Sequence, residues 1–257
     1  MKYIFFDIDG TLLTEKNGKE YIPESTLKTI QALQEKGHVT AIASGRSLEM
    51  ILPIAKKCDI HHIVSDGGHG VVIRDELIHI EPLDKELVLR LCDELLEKRI
   101  PFAFMIDQSG GLYANPTMLN GDVGIKFDHF PLHIQEDFDY KKHEAYKVLM
   151  GLQRGKEDII TTVDAHKILR YVDECIAFEP DNKYKGVKTL VEMEKGNLED
   201  IVFFGDGKND IALFKEVPFS IAMGNAIDEL KELAYFVTKN VDEDGIEFAC
   251  KHFGFID

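Results

Sequence analysis

Three times in this sequence a short apolar run stops abruptly at a polar turn. Lys2 to Phe6 gives way to Asp7-Ile8-Asp9-Gly10-Thr11, Val39 to Ala43 to Ser44-Gly45-Arg46, and Ile201 to Phe204 to Gly205-Asp206-Gly207-Lys208-Asn209-Asp210. A continuous apolar run of this length is the pattern of a strand buried on both faces, and its polar end marks where the chain leaves the sheet. Between the runs the period becomes helical. Pro23 opens a segment in which Leu27, Ile30 and Leu33 share a face and Gly37 ends it, and a further helix is expected through Lys56. Ile60 to Val64 supplies another strand. The Gly67, Gly68 and Gly70 cluster then leads to a hairpin of Val71 to Ile73 with Leu77 to Ile80. Phe219 to Ala222 and Tyr235 to Thr238 are later strands, with a helix in each interval. Strands alternating with helices predict an α/β fold, a Rossmann-like core on a parallel sheet. Ligands bind beyond the carboxyl ends of such strands, so the three polar turns are expected to converge on one crevice.

Residues 82–179 have a different rhythm. Leu87, Leu91 and Leu95 mark an amphipathic helix, and Phe102 to Ile106 with Leu112 to Ala114 read as paired strands around Ser109-Gly110-Gly111. Tyr146 to Met150, Ile168 to Val172 and Cys175 to Phe178 add strands, with a helix expected over Lys156 to Ala165. This is an antiparallel α+β domain inserted into an α/β chain. The expected division is a core of residues 1–81 and 180–257 and an inserted domain of residues 82–179.

Charge and hydropathy remove several classes of function. Acidic residues number 46 against 30 Lys and Arg in 257, a formal charge of −16, so the surface should repel nucleic acid and anionic membranes. The longest nearly apolar stretch, Ile100 to Ile106, contains Pro101 and falls far short of the roughly 20 residues of a membrane helix. The run after Lys2 is too short for a signal peptide, so a cytoplasmic location is expected. Cys58, Cys92, Cys175 and Cys250 form no C-x-x-C pair and are read as small core residues.

The turns themselves carry the chemistry. Asp7 and Asp9 can enter one crevice, where one carboxylate could attack and the other give and take a proton, although a bare D-x-D can also be a solvated turn. Asp206 and Asp210, with water and phosphate oxygens, suit Mg²⁺, and equally suit a turn that caps a helix. Thr11 and Ser44 can donate hydroxyl hydrogen bonds to phosphate, and neighbouring glycines let backbone N–H groups approach it; Ser44 would also serve as a helix N-cap. Lys185, beside Gly186, could set a point positive charge on a phosphate, or remain a solvated lysine.

The ordered set F-F-D-I-D-G-T-L, A-S-G-R, K-G-V-K-T-L and F-F-G-D-G-K-N-D, followed by A-M-G-N-A and E-D-G-I, closely resembles the haloacid dehalogenase-like (HAD) phosphatase superfamily, and within it the Cof-type sugar-phosphate phosphatases with a large α/β cap. The resemblance covers essentially the whole chain. It implies Asp7 as the nucleophile forming an aspartyl-phosphate and Asp9 as general acid and base, its backbone carbonyl also on the metal. It implies Thr11, Ser44, Gly45 and Asn209 around the phosphate, Lys185 neutralising it, and Asp7, Asp9, Asp206 and Asp210 around Mg²⁺. Lys183 competes for the lysine role, but Lys185 stands directly before Gly186. The inserted domain would be the cap that excludes water and selects a small phosphorylated metabolite; the oligomeric state is left open. Asp66-Gly67-Gly68 departs from the N-G-A of many relatives, and Asp66 receives no role; Arg46 completes the second motif with Gly45, and whether it touches substrate is left open. His129, His133, His143 and His166 lack metal spacing and are read as surface or core residues. A phosphomutase or phosphotransferase would use the same core, and a non-catalytic phosphometabolite sensor is the reading from another class.

Overall fold

A computed structural model describes residues 1–107, 109–121, 131–164, 168–179 and 182–257. The chain divides into two compact units, Met1–Ile80 with Asn182–Asp257, and Glu81–Asp181. In chain order the first unit begins with β1 (Tyr3–Phe6), β2 (Thr14–Lys16), β3 (Lys19–Tyr21), α1 (Glu24–Glu35), β4 (Val39–Ala43), α2 (Leu48–Cys58), β5 (His62–Ser65), β6 (Gly70–Ile73) and β7 (Glu76–Ile80). The second unit contributes α3 (Lys85–Glu97), β8 (Phe102–Met105), β9 (Leu112–Ala114), β10 (Leu132–Ile134), β11 (Lys147–Gly151), β12 (Ile168–Val172) and β13 (Cys175–Phe178). The chain then returns to the first unit with α4 (Lys183–Met193), β14 (Ile201–Gly205), α5 (Ile211–Glu216), β15 (Phe219–Ala222), α6 (Asp228–Leu233), β16 (Phe236–Val237) and α7 (Gly245–His252).

The first unit is built on an eight-stranded sheet ordered β16-β15-β14-β1-β4-β5-β6-β7. Every pair from β16 to β5 is parallel, and β6 and β7 add an antiparallel hairpin at one edge. The alternation of β1 assigns its side chains to two cores. Ile4 and Phe6 pack with Ile30 and Leu33 of α1, Ile51 and Ile54 of α2, and Ile246 and Ala249 of α7. Tyr3 and Phe5 pack with Val187 and Leu190 of α4, Leu213 and Phe214 of α5, and Leu230 of α6. Helices therefore cover both faces, which is why the strands are apolar throughout. After β1 the chain moves to β4 and β5 on one side, and on its return builds β14, β15 and β16 on the other. At such a reversal α/β sheets bind ligands beyond the carboxyl ends of their strands, here those of β1, β4 and β14.

The second unit is a six-stranded sheet ordered β10-β9-β8-β11-β13-β12. It is antiparallel except for β10, which pairs with β9 in parallel. Helix α3 is capped by Asp84, whose side chain accepts from Leu87 N at 2.7 Å, and buries Val88, Leu91, Cys92 and Leu95. The helix expected over Lys156 to Ala165 is corrected here: one turn of 3-10 helix, Glu157–Ile159, forms, and Ile160 is already extended. The amides of Thr161 and Thr162 donate instead to the Glu94 carboxylate at 2.7 and 2.8 Å, a side-chain acceptor that competes with helical pairing. Ala165 lies outside the described residues, as do His129 and His166. His133 stacks on Tyr113 and His143 on Phe138, with ring centroids 4.9 and 4.8 Å apart, so both make ring contacts.

Candidate active site

Asp7 extends β1 by one residue, its amide donating to Phe204 O at 2.9 Å, and its side chain is buried at the carboxyl end of the sheet. Asp206 and Asp210 leave the neighbouring β14. The Asp210 carboxylate is wholly buried, and its Oδ2 accepts from the amides of Asp206 at 3.0 Å and Gly207 at 3.2 Å, which curls the turn around it. A Cβ on Gly205 would lie 2.5 Å from that oxygen, so the turn requires glycine there. Thr11 Oγ donates to Asp206 Oδ1 at 2.9 Å, tying the first polar turn to the third. Gly10 joins them at φ +79°, where a Cβ would strike the Asp206 carboxylate at 2.1 Å.

The lysine assignment is corrected by the structure. Lys183, not Lys185, lies in the cluster, its Nζ donating to Asp7 Oδ1 at 2.6 Å and Asp210 Oδ1 at 2.7 Å. Lys183 is the first residue of α4, and two residues along a helix amount to about 200° of rotation, so Lys185 emerges on the opposite, exposed side. The amide of Lys185 is bound by the capping Asn182 side chain at 3.1 Å. Gly186, three residues on, shares the face of Lys183 and abuts Val64 and Gly68, where a Cβ would fall 2.5 Å from Val64 Cγ1 and 2.7 Å from Gly68 O. The glycine thus marks the face of Lys183. Adjacency in sequence pointed to the wrong residue.

Among the described residues, Asp7, Asp206 and Asp210 form a group in which one carboxylate oxygen from each lies within 4.8 Å of the others. Asp9 stands outside it. Its carboxylate is exposed and forked by Arg46, whose Nε donates to Oδ2 at 3.0 Å and whose terminal nitrogen donates to Oδ1. Burial pushes the Asp7 carboxyl up to about 7; Lys183 opposes that shift, while Asp210 and Asp206 add to it. Burial likewise lifts Asp206 to about 6, against the Thr11 hydrogen bond and with help from Asp210 and Asp9. Burial would lower Lys183, but Asp210 and Asp7 outweigh it and hold the ammonium well above its ordinary value. Three carboxylates and one ammonium leave the cluster short of positive charge, and an all-oxygen donor set of this kind suits Mg²⁺.

Ser44 is buried directly after β4, with its amide on Val64 O at 2.9 Å and its Oγ accepting from Arg46 N at 3.2 Å. Gly45 lies between them in the same turn, and Asn209 is half-buried on the turn that carries Asp210. Two supports escaped the sequence reading. Asn225, from the A-M-G-N-A segment, donates to Gly10 O at 2.8 Å and accepts from Val241 N at 2.9 Å, pinning the turn that carries Asp9. Asp66 braces the second turn through its backbone: its amide donates to Arg46 O at 2.9 Å, Gly67 N donates to Ser44 O at 3.1 Å, and Gly67 O accepts from Asn182 N at 2.7 Å. The Asp66 turn therefore links the Ser44 turn to the start of α4. The four cysteines are buried, and burial pushes their thiols up to about 12, far from reactive thiolates.

The sequence pattern of the haloacid dehalogenase-like hydrolases matches residues 4–249. A Bacillus subtilis protein named "Putative phosphatase YkrA" is 36% identical over 99% of this chain and 98% of its own. The B. subtilis 5-amino-6-(5-phospho-D-ribitylamino)uracil phosphatase YwtE is 30% identical over 96% of each chain. A crystal structure of a hypothetical protein from Geobacillus kaustophilus superposes with a TM-score of 0.82 at 30% identity, over 99% of each chain.

Proposed function

The chain belongs to the haloacid dehalogenase-like hydrolases, and on that premise we propose that it is a Mg²⁺-dependent phosphatase that hydrolyses phosphate monoesters of small metabolites, sugar phosphates or similar, through an aspartyl-phosphate on Asp7. The observation that carries the proposal is the buried Asp7–Lys183–Asp210 chain beside Asp206. A nucleophilic carboxylate facing a phosphate dianion must be relieved of repulsion: two unit charges 4 Å apart interact by about 4 kcal/mol at an effective dielectric of 20. Lys183 supplies one charge against it. Asp7, Asp206 and Asp210 would hold Mg²⁺, with the backbone carbonyl of Asp9 as a further ligand. When bound there the ion would screen the phosphate from these carboxylates and favour the charge of the transferring group.

The chain's own residues then divide the work. Asp7 Oδ bonds to phosphorus as the bond to the leaving oxygen breaks, and that oxygen takes its proton from Asp9. A water molecule next attacks the aspartyl-phosphate, giving its proton to Asp9 as Asp7 is released. Thr11, Ser44, Gly45 and Asn209 bind the phosphoryl oxygens. Catalysis is assigned to Met1–Ile80 with Asn182–Asp257, which holds every residue named, and selection of the leaving group to Glu81–Asp181. The formal charge of −16 disfavours polyanionic substrates, and the name of the YwtE relative supports a small phosphate ester.

The test is phosphate release from nitrophenyl phosphate and from a panel of phosphorylated metabolites, with and without Mg²⁺, for the wild type and Asp7→Asn. Release that requires the metal and falls to background in the variant is expected. Absence of release from every ester, or equal release by Asp7→Asn, overturns the proposal.

A further inference from the structure

Arg46 is fixed at its backbone and reaches far with its side chain. Its amide is held by Ser44 Oγ at 3.2 Å and its carbonyl by the amide of Asp66 at 2.9 Å. From that anchorage the guanidinium crosses to Asp9, 37 positions away in sequence, and meets both carboxylate oxygens at once. A bidentate fork fixes a carboxylate in position and orientation, which a single ammonium contact does not. Asp9 needs such a hold, because its side chain is 57% exposed on a turn. A second acid steadies the arginine. Glu20 of β3 brings Oε1 to 3.7 Å from the guanidinium that holds Asp9. Strand β3 pairs with β2 in a hairpin that leaves the Asp9 turn directly, so one arginine ties the Asp9 turn, the Ser44 turn and this hairpin together.

We propose that Arg46 is the positioning residue for Asp9 in the half-reaction that hydrolyses the aspartyl-phosphate, and that Glu20 positions Arg46. The inference rests on the phosphatase reading above. In that half-reaction the water oxygen bonds to phosphorus, the bond from phosphorus to the Asp7 oxygen breaks, one water proton passes to the Asp9 carboxylate, and Asp7 departs as a carboxylate. The fork engages both oxygens of Asp9 and so fixes where and in which orientation its carboxyl group meets the attacking water. The proton then serves the leaving oxygen of the next ester.

An ester with a good leaving group isolates the step, because nitrophenolate departs without a proton and the first half-reaction then asks little of Asp9. Rapid-mixing kinetics with nitrophenyl phosphate and Mg²⁺ would compare the wild type with Arg46→Ala, Arg46→Lys and Glu20→Gln. In Arg46→Ala the steady rate is expected to fall about 10- to 100-fold, part of the 10²–10⁴ that a positioned acid–base group contributes, while the first turnover stays within about threefold of wild type. One nitrophenolate per chain then appears as a burst and phosphorylated protein accumulates. Arg46→Lys, which keeps the charge without the fork, is expected to recover part of the steady rate, and Glu20→Gln to show the same signature more weakly. A steady rate equal to wild type in Arg46→Ala, or a first turnover slowed as much as the steady rate, overturns the inference while leaving the phosphatase reading intact. A wild-type protein that releases no nitrophenolate overturns both.

Discussion

Replacing Lys183 with Met and, separately, Lys185 with Met distinguishes two lysines only two positions apart. The Lys183 ammonium lies between Asp7 and Asp210 at 2.6 and 2.7 Å, and all three side chains are at most 4% exposed. Removing one partner of a buried charge pair leaves the other uncompensated and costs about 3–5 kcal/mol. For a protein of this size about 1 kcal/mol shifts the melting temperature by 2–4 °C, so Lys183→Met is expected to lose roughly 6–20 °C. Lys185 is exposed, and its substitution should cost no more than the roughly 0–1 kcal/mol of an exposed interaction. The measurement is thermal and urea unfolding without divalent metal, between pH 5.5 and 8, following the transition of the unit that contains α4. The pH dependence has a defined sign. Lys183 holds Asp7 down, so its loss raises the Asp7 carboxyl further above its unfolded value. A carboxyl raised on folding takes up protons, so stability falls as pH rises through the window between its unfolded and folded values. The deficit of Lys183→Met should therefore be largest near pH 8 and shrink on acidification. Equal destabilisation by the two variants, or a deficit that grows as the pH falls, would refute the reasoning.

Two further expectations concern protons and metal. Asp7 and Asp206, pushed up to about 7 and 6, must lose protons to hold a cation, so Mg²⁺ affinity should be markedly weaker at pH 6 than at pH 8. Thermal-shift titration checks this, with about 2.7 kcal/mol of stabilisation expected at a hundredfold excess over Kd; equal affinity at both pH values contradicts it. In the second unit, Glu94 accepts from Lys98 Nζ at 2.6 Å, from Thr161 N and Oγ at 2.7 Å each, and from Thr162 N at 2.8 Å. Burial would raise this carboxyl, but the four donors outweigh it and hold it far below the ordinary range. Glu94→Gln should cost about 2–3 kcal/mol in denaturant unfolding. Because the folded value is depressed, the advantage of Glu94 is complete above its unfolded value near 4.5 and lost as pH falls below it, so wild type and variant should converge in acid.

The buried strands were legible because burial on both faces leaves an unbroken apolar run, and the ends of β1, β4 and β14 announced the crevice through the residues that break those runs. What escaped was carried by other signals. Strands β2 and β3 consist of Thr14-Glu15-Lys16 and Lys19-Glu20-Tyr21, with no apolar face to read. Their trace in the sequence is Asn17-Gly18, whose φ values of 56° and 72° are those of a two-residue hairpin turn. Adjacency to Gly186 points to Lys185, whereas helical phase points to Lys183, the lysine that meets Asp7 and Asp210. Residues three apart share a face, so the spacing from Lys183 to Gly186 held the answer. The fork on Asp9 had no local signature: Arg46 and Glu20 meet only because β4 lies beside β1 and the hairpin leaves the turn between them.

The distribution of charge separates what holds this fold together from what the site is for. Surface acids account for most of the −16 and oppose compaction only weakly, since water and salt screen them. Asp7 and Asp210 sit where screening is poor, with Asp206 beside them partly open to solvent, and the ammonium of Lys183 bonds to two of the three. Stability alone would favour an apolar replacement of such a cluster, because desolvation of buried ions is only partly recovered by their attraction. The protein instead invests glycine at positions 10 and 205, where any side chain would collide with Asp206 or Asp210, in bringing the carboxylates close. Backbone arranged around clustered carboxylates is what the proposed cation site requires, and under that proposal a bound cation would let a small phosphate ester approach acids that would otherwise repel it.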